Sequence, residues 1–343
     1  MKRSVGSRRG MLTFAAVAVA LALLPFVLTS NYQQHVINMV GIYAILALGM
    51  NLAMGYCGQM NLAQGALYGV GAYTSALTTL KLGIPVWAAI PLSGALAAAI
   101  GGLVGLPSMK VRSHYLAIVT IGLGEVINLI LINWNSLTQG AMGLMGIPSA
   151  AFFGLALDTE ESYYYLILIV AILLYLLARA IMASHIGRSF IAIRDDYVAA
   201  RASGINTGYY QIMAFALSAF YAGVAGSLYA HLISYVSPDS FQFGSTLLIM
   251  TMIMIGGLGS LEGSIFGAAV LTVLNEYLRA FQKFQLVIYG AMVLSLVMFL
   301  PGGVLSLRDR LGNWWSLRKG GPRSARAATG QEVGNGKEVG DVS

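Results

Sequence analysis

Residues 36–54 have the sequence VINMVGIYAILALGMNLAM, which contains no charged side chain. A stretch of this length and polarity can cross the ~30 Å hydrocarbon core of a bilayer as an α-helix. The break Gly55-Tyr56-Cys57-Gly58-Gln59 follows it, and a second apolar stretch then runs from Leu62 to Leu80. Backbone groups freed by a broken helix must line a cavity or be buried in protein. This arrangement therefore predicts a helical membrane protein in which a helix is broken inside the bundle.

The composition of the whole chain agrees with that prediction. Only 10% of the 343 residues are charged and 57% are hydrophobic, whereas soluble domains carry about 25% charged residues. Ten apolar segments can be drawn, at Leu12–Leu28, Val36–Met54, Leu62–Leu80, Val86–Leu106, Tyr115–Ile132, Tyr163–Ile181, Ile212–Ile233, Phe243–Leu258, Ile265–Leu278 and Leu286–Leu300. We predict an all-α polytopic membrane protein of about eight to ten transmembrane helices in two related halves, with glycine-broken or re-entrant segments. Soluble enzymes, disulfide scaffolds and nucleic-acid modules are excluded.

The basic residues predict the orientation of the chain. With ten crossings and a cytoplasmic N-terminus, 17 of the 20 Lys and Arg residues fall inside, and Lys81, Arg279 and Lys283 fall outside. This positive-inside bias places both termini in the cytoplasm and accounts for the net charge of +7. We expect a transmembrane domain over residues 1–307. Residues 308–343 are Gly-, Ser- and Ala-rich at their end, which predicts a disordered cytoplasmic tail.

A second glycine-rich break matches the first. Gly256-Gly257-Leu258-Gly259-Ser260 interrupts the eighth and ninth segments, and QGALYG at 64–69 aligns with EGSIFG at 262–267, at an offset of 198 residues. Broken helices in corresponding halves indicate a transport path, to which Gln59, Asn61, Gln64 and Glu262 would contribute. The alternative is that the Gly-x-x-x-Gly spacings only allow close helix packing. Both motifs lie at the start of a helix that begins on the cytoplasmic side, whereas an inverted repeat would place them on opposite sides of the membrane. Either the two halves are therefore not inverted, or one short segment is re-entrant.

A patterned polar loop, residues 183–211, lies on the cytoplasmic side. Asp195 and Asp196 suit the N-terminus of a helix, where they cap free N–H groups, and Gly204 suits its end. Such a helix could dock into a groove on a soluble partner. It could also lie on the lipid surface with its arginines at the headgroups, and the residues alone favour this second interpretation.

Two further features belong to the membrane and to its outer side. Glu125 lies in the middle of a span, with Asn128 on the same helical face. It could be a proton relay, a substrate contact or a structural hydrogen-bonding group, and the last is favoured. The external loop, residues 133–162, contains the glycine-spaced apolar segment Thr138–Pro148. This segment could re-enter the membrane at the mouth of the path, or it could be a loose surface loop.

Taken together, these motifs resemble the permease subunits of ABC importers for branched-chain amino acids, specifically the LivM-type member of a permease pair. The resemblance runs from about Val36 to Leu307. The motifs that carry it are GRSFIAIRDD at 187–196, AARASGIN at 199–206, AFALSAFYAGVAG at 214–226, YLAIVT at 115–120 with Glu125, TQGAMGLMGIP at 138–148, and GGLGS at 256–260 followed by Gly263.

The resemblance implies a heteromeric importer in the bacterial inner membrane. Its other parts would be a second homologous permease, two ATPase subunits that bind ATP and Mg, and a periplasmic or extracellular substrate-binding protein. This chain would be a non-catalytic transport subunit without a cofactor or metal of its own, and residues 183–211 would couple it to the ATPases. The coupling residues implied are Arg188, Arg194, Asp195, Asp196, Ala199, Ala200 and Gly204, while Glu125 and Thr138 join the path residues.

The sequence departs from that family at three places. Gln139 stands where relatives usually have Gly, Asn128 where they commonly have Arg, and Pro301-Gly302-Gly303 where they often have Pro-Gln-Gly. The amino acid or amide carried is therefore left open. Two other functions compete with the importer, namely a proton-coupled secondary transporter that uses Glu125 and works without partners, and a non-transporting scaffold or channel.

Overall fold

The structure, a computed structural model, describes residues 21–22, 24–27, 30–109, 114–149, 151–152, 155–156, 159–278 and 290. The principal helices are α1 (Asn31–Asn51), α2 (Gln64–Leu82), α3 (Val86–Gly105), α4 (His114–Asn133), α5 (Glu160–Ala183), α6 (His185–Asp195), α7 (Tyr197–Ala202), α8 (Thr207–Ile233), α9 (Phe243–Gly256) and α10 (Leu261–Leu278). Short α-helical turns lie at Leu24–Val27 and Asn135–Thr138, a π-helix at Leu52–Tyr56, and 3₁₀ turns at Leu106–Met109, Gly140–Met142 and Pro238–Phe241. The strands are β1 (Leu144–Met145), β2 (Ala151–Phe152), β3 (Leu155–Ala156) and β4 (Tyr235–Val236).

Six helical segments of the described chain are long and apolar enough to cross a membrane. They are Asn31–Tyr56, Val86–Met109, Tyr115–Asn133, Glu160–Ala183, Thr207–Ile233 and Pro238–Gly256. The prediction of an all-α polytopic membrane protein is confirmed. The predicted segments Leu12–Leu28 and Leu286–Leu300 fall largely outside the described residues, and the predicted tail 308–343 falls entirely outside them.

The centre of the bundle is α8, which packs against α1, α2 and α3. Its close approach to two of these neighbours depends on glycine. A Cβ atom on Gly223 would lie 2.5 Å from the Ser93 carbonyl oxygen of α3, and one on Gly71 of α2 would lie 2.3 Å from Gly223 Cα. Small residues at such crossings let backbones approach closely, which is how helices associate tightly where lipid is the solvent.

Helices α4 and α5 form the periphery. Only 28% of the residues in the apolar stretch of α4 and 22% of those in α5 are buried. The corresponding share is 67% for the spans formed by α1 and α8. Large apolar side chains such as Ile169 and Leu173 are exposed on α5. These faces suit contact with lipid or with another membrane subunit.

The two Gly-x-x-x-Gly motifs pack against the two ends of the short helix α9. A Cβ atom on Gly65 would lie 2.5 Å from Ser245 Oγ, and one on Gly267 of α10 would lie 2.0 Å from the Met252 carbonyl oxygen. Gly69 and Gly263 are equally crowded, by Phe241 and by the Gly256 carbonyl respectively. Close packing is therefore the role that the structure assigns to these glycines.

The segment that precedes α9 packs along α2. Tyr73 of α2 donates a hydrogen bond to the Val236 carbonyl, Phe241 lies against Gly69, and the Gly65 N–H donates to Thr246 Oγ1 over 2.8 Å. These contacts descend eight residues along α2, about 12 Å at 1.5 Å per residue. The re-entrant alternative for this segment stays a prediction.

Replacement of Gly223 by alanine tests the helix crossing. We expect Gly223→Ala to destabilise the protein by about 1–3 kcal/mol, because the added methyl group meets backbone atoms that cannot move independently. Gly122→Ala is the matched control, since no atom lies within 4 Å of a Cβ placed there. Thermal unfolding in detergent, followed by fluorescence-detected size exclusion, measures both; equal melting temperatures would contradict the crossing.

Candidate functional site

One buried amide joins the two helix breaks. Asn51, the last residue of α1, accepts a hydrogen bond from the Gly259 N–H over 2.9 Å through Oδ1. Its Nδ2 donates to the Ser260 carbonyl over 2.8 Å and to Ser264 Oγ over 2.7 Å. Its side chain is fully buried. Since a backbone group freed by a broken helix needs a partner inside a membrane, Asn51 satisfies the Gly259 N–H of the second break from the end of the first. The Ser260 carbonyl also accepts from the Ser264 N–H over 3.1 Å, so the Asn51 amide is an additional donor to it.

Arg194, near the end of α6, brings the cytoplasmic loop into the same place. Its Nη1 donates to the Gly55 carbonyl over 2.9 Å, and its Nε and Nη2 donate to Asp195 Oδ1 over 3.1 and 3.0 Å. A Cβ atom on Gly259 would lie 3.0 Å from Arg194 Nη1. We call the set Asn51, Gly55, Arg194, Gly259 and Ser260 the break junction. Both breaks therefore lie at the end of the bundle that carries residues 183–211, and not at opposite ends.

The loop itself contains two helices where the sequence predicted one. Asp196 lies between α6 and α7 and caps α7, since its Oδ1 accepts from the N–H groups of Val198 and Ala199 over 2.8 and 3.0 Å. Gly204 has a φ of +82°, as expected of a glycine just after a helix. The capping prediction is confirmed for Asp196 and wrong for Asp195, which is the last residue of α6. Asp195 cannot cap a following helix because it ends the preceding one.

The predicted coupling residues divide into surface and core. Exposed residues of that set are Arg188, Arg194, Asp195, Asp196, Ala199 and Gly204. Ala200 is 4% exposed and packs with Phe190, Ile193 and Ala214, so it supports the loop and cannot itself meet a partner. Sequence reasoning missed Val198, whose apolar side chain is 68% exposed on α7. An apolar residue two positions after a capping aspartate was the available indication.

The predicted path residues do not form one lining. Asn61 and Gln64 are fully buried, and Ser218 of α8 donates to Gln64 Oε1 over 2.8 Å, so they join α2 to the central helix. Thr138 is also buried and its hydroxyl lies 2.7 Å from the Leu131 carbonyl. Glu262 accepts from the Tyr175 hydroxyl over 3.0 Å.

Gln59 and Glu125 complete the predicted set. Gln59 lies within the first break, where its Nε2 is 3.5 Å from the Cys57 carbonyl. Glu125 is exposed in the middle of α4 and forms no hydrogen bond with the described residues. None of the described residues supplies the structural hydrogen bond expected for Glu125, and this expectation stays a prediction.

The other end of α8 holds the segment Thr138–Pro148. His231 Nδ1 lies 2.8 Å from the Pro148 carbonyl, and its Nε2 lies 2.8 Å from Ser75 Oγ. Because a carbonyl only accepts, Nδ1 carries the proton. Strand β1 pairs antiparallel with β4, with Leu144 opposite Val236. These bonds rule out a loose loop and place the segment against the end of the bundle opposite the break junction.

The sequence similarity to known proteins covers the break junction and the cytoplasmic loop. The family described as "Branched-chain amino acid transport system / permease component" matches residues 33–300, which include both breaks, the loop 183–211 and Glu125. The chain belongs to this permease family. The permease is 32% identical over 324 residues to the high-affinity branched-chain amino acid transport system permease protein LivM of Salmonella typhimurium, covering 88% of this chain and 76% of the relative.

Two more relatives extend the comparison. LivM of Escherichia coli K12 is 32% identical over 319 residues, covering 86% of this chain and 75% of the relative. The permease protein LivH of Salmonella typhimurium is 25% identical over 286 residues, covering 77% of this chain and 91% of the relative. No solved structure matches the chain. The permease is thus a non-catalytic component of a transport system, and no three His, Cys, Asp or Glu residues of its described part could hold a metal ion.

Substitution of Asn51 tests the break junction. Asn51→Leu keeps the approximate volume but leaves the Gly259 N–H without its partner, which costs about 1–3 kcal/mol. It also removes the amide donor to the Ser260 carbonyl, which keeps its bond from the Ser264 N–H. We expect a lower melting temperature in detergent. Asn133→Leu serves as the control because that amide is exposed and bonds only its own helix, at the Leu129 carbonyl. Equal stability of the two variants would show that the junction does not hold the breaks together.

Proposed function

We propose that this chain is the permease subunit of an ATP-driven importer for branched-chain or related amino acids, and that it forms half of the translocation path. The observation that carries the proposal is the contact of Arg194 with the first break. It links a cytoplasm-facing loop that presents an exposed apolar helix to the broken helices of the membrane domain. A membrane subunit whose movement is driven by separate ATPase subunits needs such a contact. The family to which the chain belongs supports the same function.

The complex would contain a second permease, two ATP-binding subunits and a substrate-binding protein. Similarity to both LivM and LivH, which are separate permease proteins, supports a pair of permeases. The nucleotide and Mg would be bound by the ATPase subunits, since this sequence lacks a phosphate-binding Gly-x-x-x-x-Gly-Lys-Ser/Thr loop. The weakly buried faces of α4 and α5 offer surface for the second permease.

The position in the membrane follows from the charge distribution. We place the permease in the bacterial cytoplasmic membrane with both termini, residues 183–211 and the break junction inside. The arginines of that loop then obey the positive-inside rule. The segment Thr138–Pro148 lies at the opposite end of α8, where it would face the binding protein.

Movement would pass from the ATPases to the membrane through α7. Val198 and Ala199 are exposed on this helix, and an apolar helical surface suits a groove on a soluble partner. Helix α7 is capped by Asp196, and the neighbouring Arg194 bonds the first break. A displacement of the loop therefore reaches the first break through the Arg194 guanidinium group and through the packing of Phe190 and Ile193 with Ala53 and Cys57. The packed helices would then change between discrete arrangements that open the path to either side.

Reconstituted uptake distinguishes the proposal from a proton-coupled transporter that uses Glu125. With the second permease, the ATPases and the binding protein in vesicles, we expect amino-acid uptake that requires ATP and continues after the proton gradient is collapsed. A vesicle lacking only the ATPases is the control. Uptake without ATPases that stops when the gradient is collapsed would overturn the proposal.

Two substitutions in the loop should distinguish binding of the ATPase subunits from transfer of their movement to the membrane helices. Val198→Asp places a charge on the apolar docking surface, so we expect the purified complex to lose its ATPase subunits. Arg194→Ala removes the bond to Gly55, so we expect the ATPases to stay bound while uptake per ATP hydrolysed falls about tenfold or more, as loss of a charge-assisted bond allows. Arg179→Ala removes a positive charge of α5 outside the loop and should change neither quantity. Loss of the ATPase subunits in Arg194→Ala, together with normal ATPase binding in Val198→Asp, would contradict the proposed roles of the two residues.

A further inference from the structure

Glu125 lies in the membrane without a partner in the described chain. It is the twelfth residue of α4 (His114–Asn133), about 16 Å from the start of a helix that rises 1.5 Å per residue. It is exposed and forms no hydrogen bond with the described residues. A carboxylate at the depth of the bilayer centre is costly in lipid and normally faces a cavity or a protein partner.

Asn128 supplies a second unsatisfied polar group on the same face. It follows Glu125 by three residues, so the two side chains are neighbours on the helix surface. Asn128 is 6% exposed, and its Oδ1 is buried without a hydrogen-bond partner among the described residues. Since buried polar atoms are nearly always paired, this oxygen is suited to a donor that the described residues do not supply.

Both residues line one cleft. The cleft of the chain alone has a volume of about 10 Å³, room for about one water molecule, whereas complete ligand pockets have ~300–1,000 Å³. Its apolar walls come from Leu62, Ala66, Ile121, Phe241 and Phe243. A cleft this small, with an exposed carboxylate at its edge, is suited to be one half of a site that a second subunit completes.

The chemistry of the cleft selects a particular ligand class. Glu125 and Asn128 Oδ1 are hydrogen-bond acceptors, and an ammonium group offers three donors and a positive charge. The surrounding walls are apolar, which suits an aliphatic side chain once a second subunit completes the site. No Lys, Arg or His lines the cleft among the described residues, so a carboxylate would not be bound there. This combination fits the ammonium end and side chain of an aliphatic amino acid.

We propose that Glu125 and Asn128 form a subsite that binds the ammonium group of the amino acid during its passage through the membrane. The inference rests on the proposed function and adds to it the part of the substrate that this chain contacts. A carboxylate that only relays protons would not distinguish substrates by their ammonium group. One that only pairs with a basic residue of the second permease would be equally indifferent to substrate.

Protection of an introduced cysteine tests the subsite. The native Cys57 is fully buried, so the unmodified complex is the labelling blank. Ile121→Cys places a thiol on the cleft wall, and its N-ethylmaleimide labelling is followed in the assembled complex without the binding protein. The probes are leucine and 2-hydroxy-4-methylpentanoate, which replaces the ammonium group by a hydroxyl. Met142→Cys, 79% exposed in the segment opposite the break junction, is the control thiol.

We expect leucine to slow labelling at position 121 but not at position 142, and the hydroxy acid to have no effect. Adding Glu125→Gln should raise the half-protecting leucine concentration about tenfold or more, as loss of a charged hydrogen bond would, and Asn128→Ala should raise it less. Equal protection by both probes, or protection unchanged by Glu125→Gln, would overturn the subsite. Protection without ATP-dependent uptake by the unsubstituted complex would refute the proposed function and leave the subsite standing.

Discussion

The need to satisfy backbone groups freed inside a membrane constrains this structure more than any other requirement. Both broken helices leave such groups, and Asn51 satisfies the Gly259 N–H of the second break while Arg194 satisfies the Gly55 carbonyl of the first. The positions of α1, α9, α10 and the cytoplasmic loop depend on these bonds. One amide and one guanidinium group therefore connect regions that lie about 140 to 210 residues apart in the chain.

Apolar composition and glycine spacing predicted the class of fold because both are directly constrained by the lipid environment. Long uncharged segments are required to span the bilayer, and the breaks at Gly55 and Gly257 were visible as interruptions of those segments. The tertiary partners of the breaks were not visible. Asn51 lies in an uninterrupted apolar helix, and nothing local in the sequence says that its amide reaches residue 259.

The candidate site was predicted unevenly for the same reason. The capping role of Asp196 and the helix end at Gly204 follow from local backbone chemistry. The burial of Ala200 and of Gln64 depends on which face each helix turns towards α8, which only the assembled bundle determines. The broken helices placed Gln64 in the predicted path, and its hydrogen bond with Ser218 of α8 could not be read from the sequence.

The exposure of α4 has a consequence for how the permease is made. A copy of this chain alone in the bilayer would present Glu125 to hydrocarbon, at a cost of about 2.5–3.5 kcal/mol on insertion scales. A second subunit over this face would remove that cost. The lone chain and an assembled complex would thus differ in whether the carboxyl group of Glu125 meets hydrocarbon at mid-membrane depth.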